Sequence, residues 1–405
     1  MLSRNREGDV RVIGLMSGTS CDAVDAAAAD LETEQGTLRL RPLGSLSSPY
    51  PPRLRRSLDA CLPPGGTTLA EVCALDTEIG RAFADVAARA DRELCGGRAE
   101  LAVSHGQTVY HWTHGERALG TLQLGQPAWI AEATGLPVVS DLRPRDIAAG
   151  GQGAPLVGLF DVLWLHGREG APAALNIGGI ANATLVPRSS PEQPPSAFDT
   201  GPGNALIDAA VRQLTSGARE CDEDGALAAR GTVHPGLLRH LLDDPYYALP
   251  APKTTGREHF HLAYLRRALT KSGTGGLPAE DLVATVTRLT ARTAADAVRT
   301  AGATEVLASG GGTRNPTLMA ALAEELGRTP LHASEELGMP VDDKEAYAFA
   351  VLGWLTVHGL AATAPTLTGA RHPSLLGSLT PGRDGFRLPP PAAAPTRLVI
   401  EQPTE

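Results

Sequence analysis

Two segments of the chain share one design: a strand runs into a loop of small residues and returns as a second strand. Val10–Met16 leads into Ser17-Gly18-Thr19-Ser20 and then Val24–Asp30. About 160 residues later, Ala173–Ile177 leads into Gly178-Gly179-Ile180-Ala181-Asn182 and then Ala183–Val186. Each reads as a hairpin whose tip is bare backbone. A third strand candidate, Glu305–Ala308, ends in Ser309-Gly310-Gly311-Gly312-Thr313-Arg314-Asn315. Helical periodicity lies between and beyond these segments. It is clearest in Leu69–Leu94, where Val72, Leu75, Ile79, Phe83, Val86 and Ala90 fall on one face. It recurs in Ala205–Leu214, Leu237–Leu242, Leu282–Val298 and Lys344–Leu360. Strands and helices therefore alternate, and the pattern predicts an α/β protein of two similar halves.

A chain of 405 residues exceeds the size at which one core stops growing, so two lobes are expected. The first is expected over 1–145, completed by the helix near 344–362, and the second over 150–343. Gly150-Gly151-Gln152-Gly153 reads as a hinge between them. Pro187–Ser196 is a solvated loop by composition, and the Pro/Ala-rich tail, 389–405, reads as flexible. With 36 Lys+Arg against 45 Asp+Glu and no basic block, nucleic acid is not an expected partner. The apolar run Val12–Met16 is too short for a signal peptide, and Leu156–Leu165 is interrupted by Gly158 and Asp161. Neither approaches the roughly 18 apolar residues of a membrane span. The five cysteines contain no CxxC pair, which argues against zinc and against a disulfide framework. A soluble, cytoplasmic protein is expected.

Glycine at a hairpin tip lets main-chain amides approach an anion closely and permits positive φ. Two tips facing each other across a cleft can hold a polyphosphate, with Thr19 and Ser20 adding hydroxyls. Gly310–Gly312 offers a flat surface for a purine ring. Hairpins need glycines in any case, so one tip alone says little; the recurrence carries the reading. Neither GxxxxGK[ST] nor a strand–helix GxGxxG is present.

Among the acids, Asp22 either caps its turn or reaches a metal or a metal-bound water; Asp25 reads as the first residue of the second strand. Phe198-Asp199-Thr200-Gly201-Pro202-Gly203-Asn204 sets an acid after a buried aromatic and before a rigid turn and a helix. Asp199 either caps that helix or serves as a general base, and a carboxylate fixed by a Gly-Pro-Gly turn favours the base. His105, His111 and His114 lack the i, i+4 spacing of paired metal ligands. His105 reads as a strand end, either hydrogen-bonding substrate or satisfied in the core. Arg143 and Arg145 offer forks for a carboxylate or phosphate, with a surface Arg–Asp network as the alternative. Arg143 is the choice for the cleft. Glu345 begins a helix, where it complements the dipole or faces the cleft.

These segments together resemble the anhydro-N-acetylmuramic acid kinases, members of the actin/Hsp70/hexokinase-type nucleotide-binding superfamily. The resemblance runs from about Val12 to Gly382. It rests on Gly14–Asp22, Ser104–Thr108, Gly150–Leu156, Asn176–Asn182, Asp199–Asn204, Thr255–Glu258 and Ser309–Asn315. It implies a two-lobed actin-like, ribonuclease H-like ATPase fold with a central cleft. It also implies an ATP- and Mg²⁺-dependent kinase of peptidoglycan recycling, acting on 1,6-anhydro-N-acetylmuramic acid. Such an enzyme opens the anhydro ring with water and phosphorylates O6, giving N-acetylmuramic acid 6-phosphate. By the same resemblance Gly18, Thr19, Ser20, Cys21, Asp22, Ala23, Val24 and Asp25 form the ATP phosphate loop. Gly178 and Gly179 form a second one, and Gly310, Gly311, Gly312 and Asn315 the adenosine loop. Asp199 is the implied base, Asp22 the implied metal contact, and Arg143, His105 and Glu345 line the sugar. A homodimer is implied as well. The chain departs from the family at Ala23 (usually Gly), Leu142 (usually Phe) and Gly158 (often Pro). A kinase of another sugar or carboxylate, or a nucleotide-dependent binding protein, is the competing expectation.

Overall fold

The computed structural model describes residues 9–18, 20–62, 65–114, 117–188, 193–256, 259–385 and 388–401. Thr19, Arg257 and Glu258 lie outside the described residues. The chain divides into two compact units, Met1–Gly167 with Leu337–Glu405, and Arg168–Glu336.

The first unit begins with β1 (Val10–Ser17), β2 (Ala23–Glu34), β3 (Thr37–Pro49), α1 (Pro52–Cys61) and α2 (Leu69–Glu93). It continues through β4 (Leu101–His114), β5 (Arg117–Leu124), α3 (Pro127–Thr134), β6 (Val138–Ser140), α4 (Pro144–Ala148) and α5 (Gly158–Leu165). The second unit holds β7 (Pro172–Ile177), β8 (Ile180–Leu185), β9 (Ser196–Pro202), α6 (Ala205–Leu214) and α7 (Pro235–Leu242). It closes with α8 (Leu262–Lys271), α9 (Ala279–Thr300), β10 (Glu305–Ser309), α10 (Pro316–Leu326) and β11 (Leu331–Ala333). The chain then returns to the first unit as α11 (Lys344–Val357), α12 (Pro365–Thr368), β12 (Ser378–Thr380) and β13 (Arg397–Ile400).

The two sheets repeat one topology. In the first, the order is β12-β6-β4-β1-β2-β3-β13, with β5 paired to β4. In the second it is β11-β10-β7-β8-β9. Within each, the opening strand pairs antiparallel with the next and parallel with the fourth, and the second and third strands are antiparallel. This is the ribonuclease H-like order expected for the fold class, present twice.

Burial explains why β1 reads as an unbroken apolar run: such strands are covered on both faces. Ile13 and Leu15 join Leu75, Ile79, Phe83, Val86 and Ala87 of α2 in one core cluster. Thr68 and Glu71 close a capping box at the start of α2. On the other face Gly14 meets α11, a helix buried on nearly every side. A Cβ at Gly14 would lie 1.9 Å from the Ala346 carbonyl oxygen. The second core gathers Ala173, Leu175 and Ile177 of β7 with Leu206, Val286 and Leu289 from the helices.

Three expectations change. The division between units falls at Gly167/Arg168, whereas Gly151 and Gly153 are tied into the first unit by hydrogen bonds to Asp146. Residues 397–400, read with the flexible tail, form β13 because the β3 edge accepts a parallel partner there. Leu398 is buried, and Glu401 pairs with Arg39 and Arg41. His105 is not at a strand end, since β4 continues through it to His114 and pairs with β5.

Gly14→Ala should lower stability by about 1–3 kcal/mol or more through overpacking against main chain. Gly66→Ala, where an added Cβ meets nothing within 4 Å, is the control. Thermal midpoints of the two variants check this; equal midpoints would contradict the packing described.

Candidate active site

The first hairpin tip is stapled from within. Gln107 Nε2 donates to the Gly18 carbonyl at 3.1 Å, and Ser17 Oγ lies 2.7 Å from both Gln107 Oε1 and the Ala23 carbonyl. The Cys21 amide closes the turn on Gly18 O at 3.2 Å, and Ser20 Oγ donates to Asp22 Oδ1 at 2.5 Å. The residue in the left-handed region is Cys21, with φ 53°, and not a glycine. Ala23 opens β2 opposite Pro49, ahead of Asp25, and is not among the positive-φ positions, so its methyl group strains nothing. Leu142 is buried in the first unit and Gly158 begins α5, so both departures from the family pattern sit in ordinary structural roles.

Beyond the tip, the predicted residues of this unit are electrostatic neighbours. Asp22 is exposed. The Asp25 carboxyl is pushed up by burial, opposed by a bond from Ser47, and pushed further by Asp22, Asp343 and Asp342. Glu345 is also pushed up by burial, while Arg143 and Lys344 pull it down and Asp25 adds to the rise. Lys344 forms a buried ion pair with Asp161 at 2.7 Å, which fixes the start of α11 beside Glu345. Arg143 Nη1 donates to the Gly153 carbonyl at 2.6 Å, and its Nε donates to His105 Nε2 at 3.0 Å. His105 therefore carries its proton on Nδ1 and donates it to the Gly106 carbonyl at 2.8 Å. Sequence reasoning missed Asp146, which is fully buried and accepts from Gly153 N and Thr368 Oγ1. Its partner Thr368 is more than 200 residues away in sequence, so no local pattern marks the pair.

In the second unit the tip is held by a helix. Gly178 O accepts from Asn204 N at 2.8 Å, and Gly179 O accepts from Gly203 N at 2.9 Å and Ala205 N at 3.0 Å. Neither Gly178 nor Gly179 uses positive φ. The glycine that the approach requires is Gly203, whose Cβ would lie 2.2 Å from Gly178 O. The Asn204 and Ala205 amides at the start of α6 are thus met by the hairpin, and Asn204 makes no side-chain cap bond.

Asp199 is not a cap. It lies within β9, 6% exposed, beside buried Phe198. Its Oδ2 accepts from Thr254 Oγ1 and from Thr255 N, both at 2.9 Å. Its amide donates to Lys253 O at 2.9 Å, and its carbonyl accepts from Tyr246 Oη at 2.7 Å. The Gly-Pro-Gly segment does not orient this carboxylate as a separate turn, because Gly201 and Pro202 end the strand itself. Segment 246–255 does so instead. Thr254 stands one residue before the Thr255–Glu258 segment, and no spacing rule marks it in the sequence.

Gly310 takes φ 86°, and a Cβ there would meet Asn176 Oδ1 at 2.5 Å. Gly312 is pressed on Ile177, whereas Gly311 is exposed. The Asn315 carboxamide oxygen accepts from Leu318 N and caps α10. Among the described residues no group of three or more His, Cys, Asp or Glu forms a ready-made metal site. No helix among them is long and apolar enough to cross a membrane.

A duplicated ribonuclease H-like sheet, each copy bearing a glycine-containing hairpin between its first two strands, is the architecture of the actin/Hsp70/hexokinase-type nucleotide-binding class. The family model described as anhydro-N-acetylmuramic acid kinase matches residues 10–382. The chain belongs to that family. The anhydro-N-acetylmuramic acid kinase of Streptomyces avermitilis is 67% identical over 393 residues, 97% of this chain and 100% of that protein. The protein of the same name from Rhodococcus erythropolis is 59% identical over 397 residues, 97% of this chain and 100% of that one. Among solved structures, the activator of the 2-hydroxyisocaproyl-CoA dehydratase from Clostridium difficile matches at 12% identity and TM-score 0.40. That match spans 84% of this chain and 93% of that one, too distant a likeness to bear on the site.

The histidines of β4 make stability pH-dependent. Burial, reinforced by Arg143, holds His105 well below 6.5 and His111 at about 4. As pH falls through 6.5 the unfolded chain takes up protons that the folded chain refuses, so stability falls. For His111 this continues to about pH 4, where the folded state protonates too. Denaturant titrations between pH 7 and 4.5 should show the loss, and His111→Asn should make it shallower, leaving the share due to His105.

Proposed function

We propose that this chain transfers the γ-phosphoryl group of ATP to O6 of 1,6-anhydro-N-acetylmuramic acid while water opens the anhydro bridge. The products are N-acetylmuramic acid 6-phosphate and ADP, a step of peptidoglycan recycling. Membership of the family supports the substrate, and the carboxylate of Asp199, buried and held at one oxygen by two donors, is the observation that carries the chemistry. The bridge ties C1 to O6, so O6 has no hydroxyl to offer ATP. Asp199 takes a proton from water as the water oxygen bonds to C1. The C1–O6 bond breaks, and O6 bonds to the γ-phosphorus as ADP leaves. General-base assistance of this kind is worth ~10²–10⁴-fold.

The reading assigns the nucleotide to Gly18, Thr19, Ser20, Cys21, Asp22, Ala23, Val24 and Asp25 in one unit. In the other it assigns Gly178, Gly179, Gly310, Gly311, Gly312 and Asn315. For Asn315 the side-chain oxygen is already engaged at α10, which leaves its amide nitrogen for that role. Arg143, His105 and Glu345 are assigned to the sugar. Arg143 presents a fixed cation, and His105, kept neutral by burial, holds the guanidinium in place. Mg²⁺ suits this donor set: it binds through one or two carboxylates plus water and phosphate oxygens, and exposed Asp22 with Asp25 behind it offers hard oxygen donors without a complete cage. When bound it neutralises charge on the phosphates. Cytoplasmic action, the absence of nucleic-acid and membrane partners, and a homodimer complete the reading.

Incubation with ATP, Mg²⁺ and the anhydro sugar in ¹⁸O-water should place one ¹⁸O at C1 of the product by mass analysis. Label absent from the sugar phosphate would point to a kinase of another sugar. Asp199→Asn should lower kcat by at least ~10²-fold with ATP binding retained; calorimetry with a non-hydrolysable ATP analogue separates the two effects.

A further inference from the structure

We propose that Thr254 is a positioning residue for Asp199, its hydroxyl fixing the carboxylate in the orientation from which it receives the proton of water. This rests on the reading of Asp199 as the general base. One segment of chain grips that residue at four points. Lys253 O and Tyr246 Oη hold its main chain, the former accepting from the amide and the latter donating to the carbonyl. With the Cα fixed, two side-chain torsions remain, and Thr254 Oγ1 and Thr255 N settle both by donating to the same oxygen, Oδ2. The two donors differ in kind. The Thr255 amide is part of the main chain, whereas the Thr254 hydroxyl is a side-chain donor that a substitution can remove.

The segment does not depend on that hydroxyl for its own place. Lys253 Nζ donates to the carbonyls of Tyr246 and Tyr247 and sits 4.7 Å from the centre of the Tyr246 ring. Tyr246 in turn packs edge-on against Phe260 in the core. Thr254 is itself only partly buried and belongs to no core cluster. Losing its hydroxyl therefore loosens the carboxylate, leaving the Thr255 amide on Oδ2 but no longer both donors that set its angle, and leaves the scaffold standing. A base misplaced by a fraction of an ångström still binds both substrates but meets water at the wrong angle, so the loss belongs in kcat.

Steady-state kinetics of the full chain with ATP, Mg²⁺ and the anhydro sugar test this. Thr254→Val should lower kcat about 10–100-fold, with KM for sugar and ATP unchanged within about threefold. Thr254→Ser, which keeps the hydroxyl, should return kcat to within about threefold of the parent. Thr254→Ala should match the valine variant, and all three should keep the parent's thermal midpoint. Unchanged kcat in the valine and alanine variants would overturn the proposal. So would a serine variant as impaired as the valine one, a loss that falls on KM instead, or a loss that follows the thermal midpoint. Asp199→Asn with full turnover removes the base reading itself; an inactive Asn variant beside a fully active Val variant removes only the role of Thr254.

Discussion

The first amides of a helix must find acceptors, and where β9 passes into α6 those of Gly203, Asn204 and Ala205 find the carbonyls of Gly178 and Gly179. Much of the second unit follows from that bond set. With the hairpin meeting the Asn204 and Ala205 amides, neither Asn204 nor Asp199 is spent on capping. Because the hairpin comes so close, position 203 must be glycine. The Thr290 hydroxyl then bonds Gly203 O at 2.7 Å and ties the junction to α9. A strand tip and a helix end become one rigid piece, and the acid beside them keeps its carboxylate for other partners.

The first unit stabilises its own tip differently. α1 follows β3 just as α6 follows β9, but here only the Tyr50 amide reaches the loop, at Asp22 O (2.9 Å), and side chains add the rest: Ser17, Gln107 and Tyr50 converge on residues 17–23. The same fold thus reaches a fixed loop by main-chain bonds to a helix start in one copy and by a larger share of side-chain bonds in the other. Buried ion pairs appear at matching points of need. Arg11 and Asp30 join β1 to β2 at 2.6 Å, and Lys344 and Asp161 join α11 to α5. Removing one member of such a pair strands a charge in the core, which is far costlier than the pair's net contribution. Lys344 is the more consequential, since it stands next to Glu345.

Sequence reading recovered the hairpins because strand periodicity and glycine are local signals. It recovered α2, α6 and α9 because their apolar stripes are regular. It left open whether Asp199 caps or catalyses, since a cap and a base look alike in one dimension. It also assigned the fixing of that acid to Gly201-Pro202-Gly203, when the donors come from residues 254 and 255, some 55 positions away. The pairing of Asp146 with Thr368 and the docking of β13 on β3 were out of reach for the same reason.

The amino-acid order by itself determined where chain reversals occur, which faces are apolar, and which acids stand near glycine-rich loops. These depend on neighbours within a few residues, where backbone freedom and side-chain period are set. Tertiary structure alone decided which donors meet Asp199, which oxygen of a glycine holds a helix end, and which histidine is kept neutral by burial beside an arginine. Those outcomes depend on distances between segments far apart in the chain, and only the packing of sheet and helices within each unit fixes such distances.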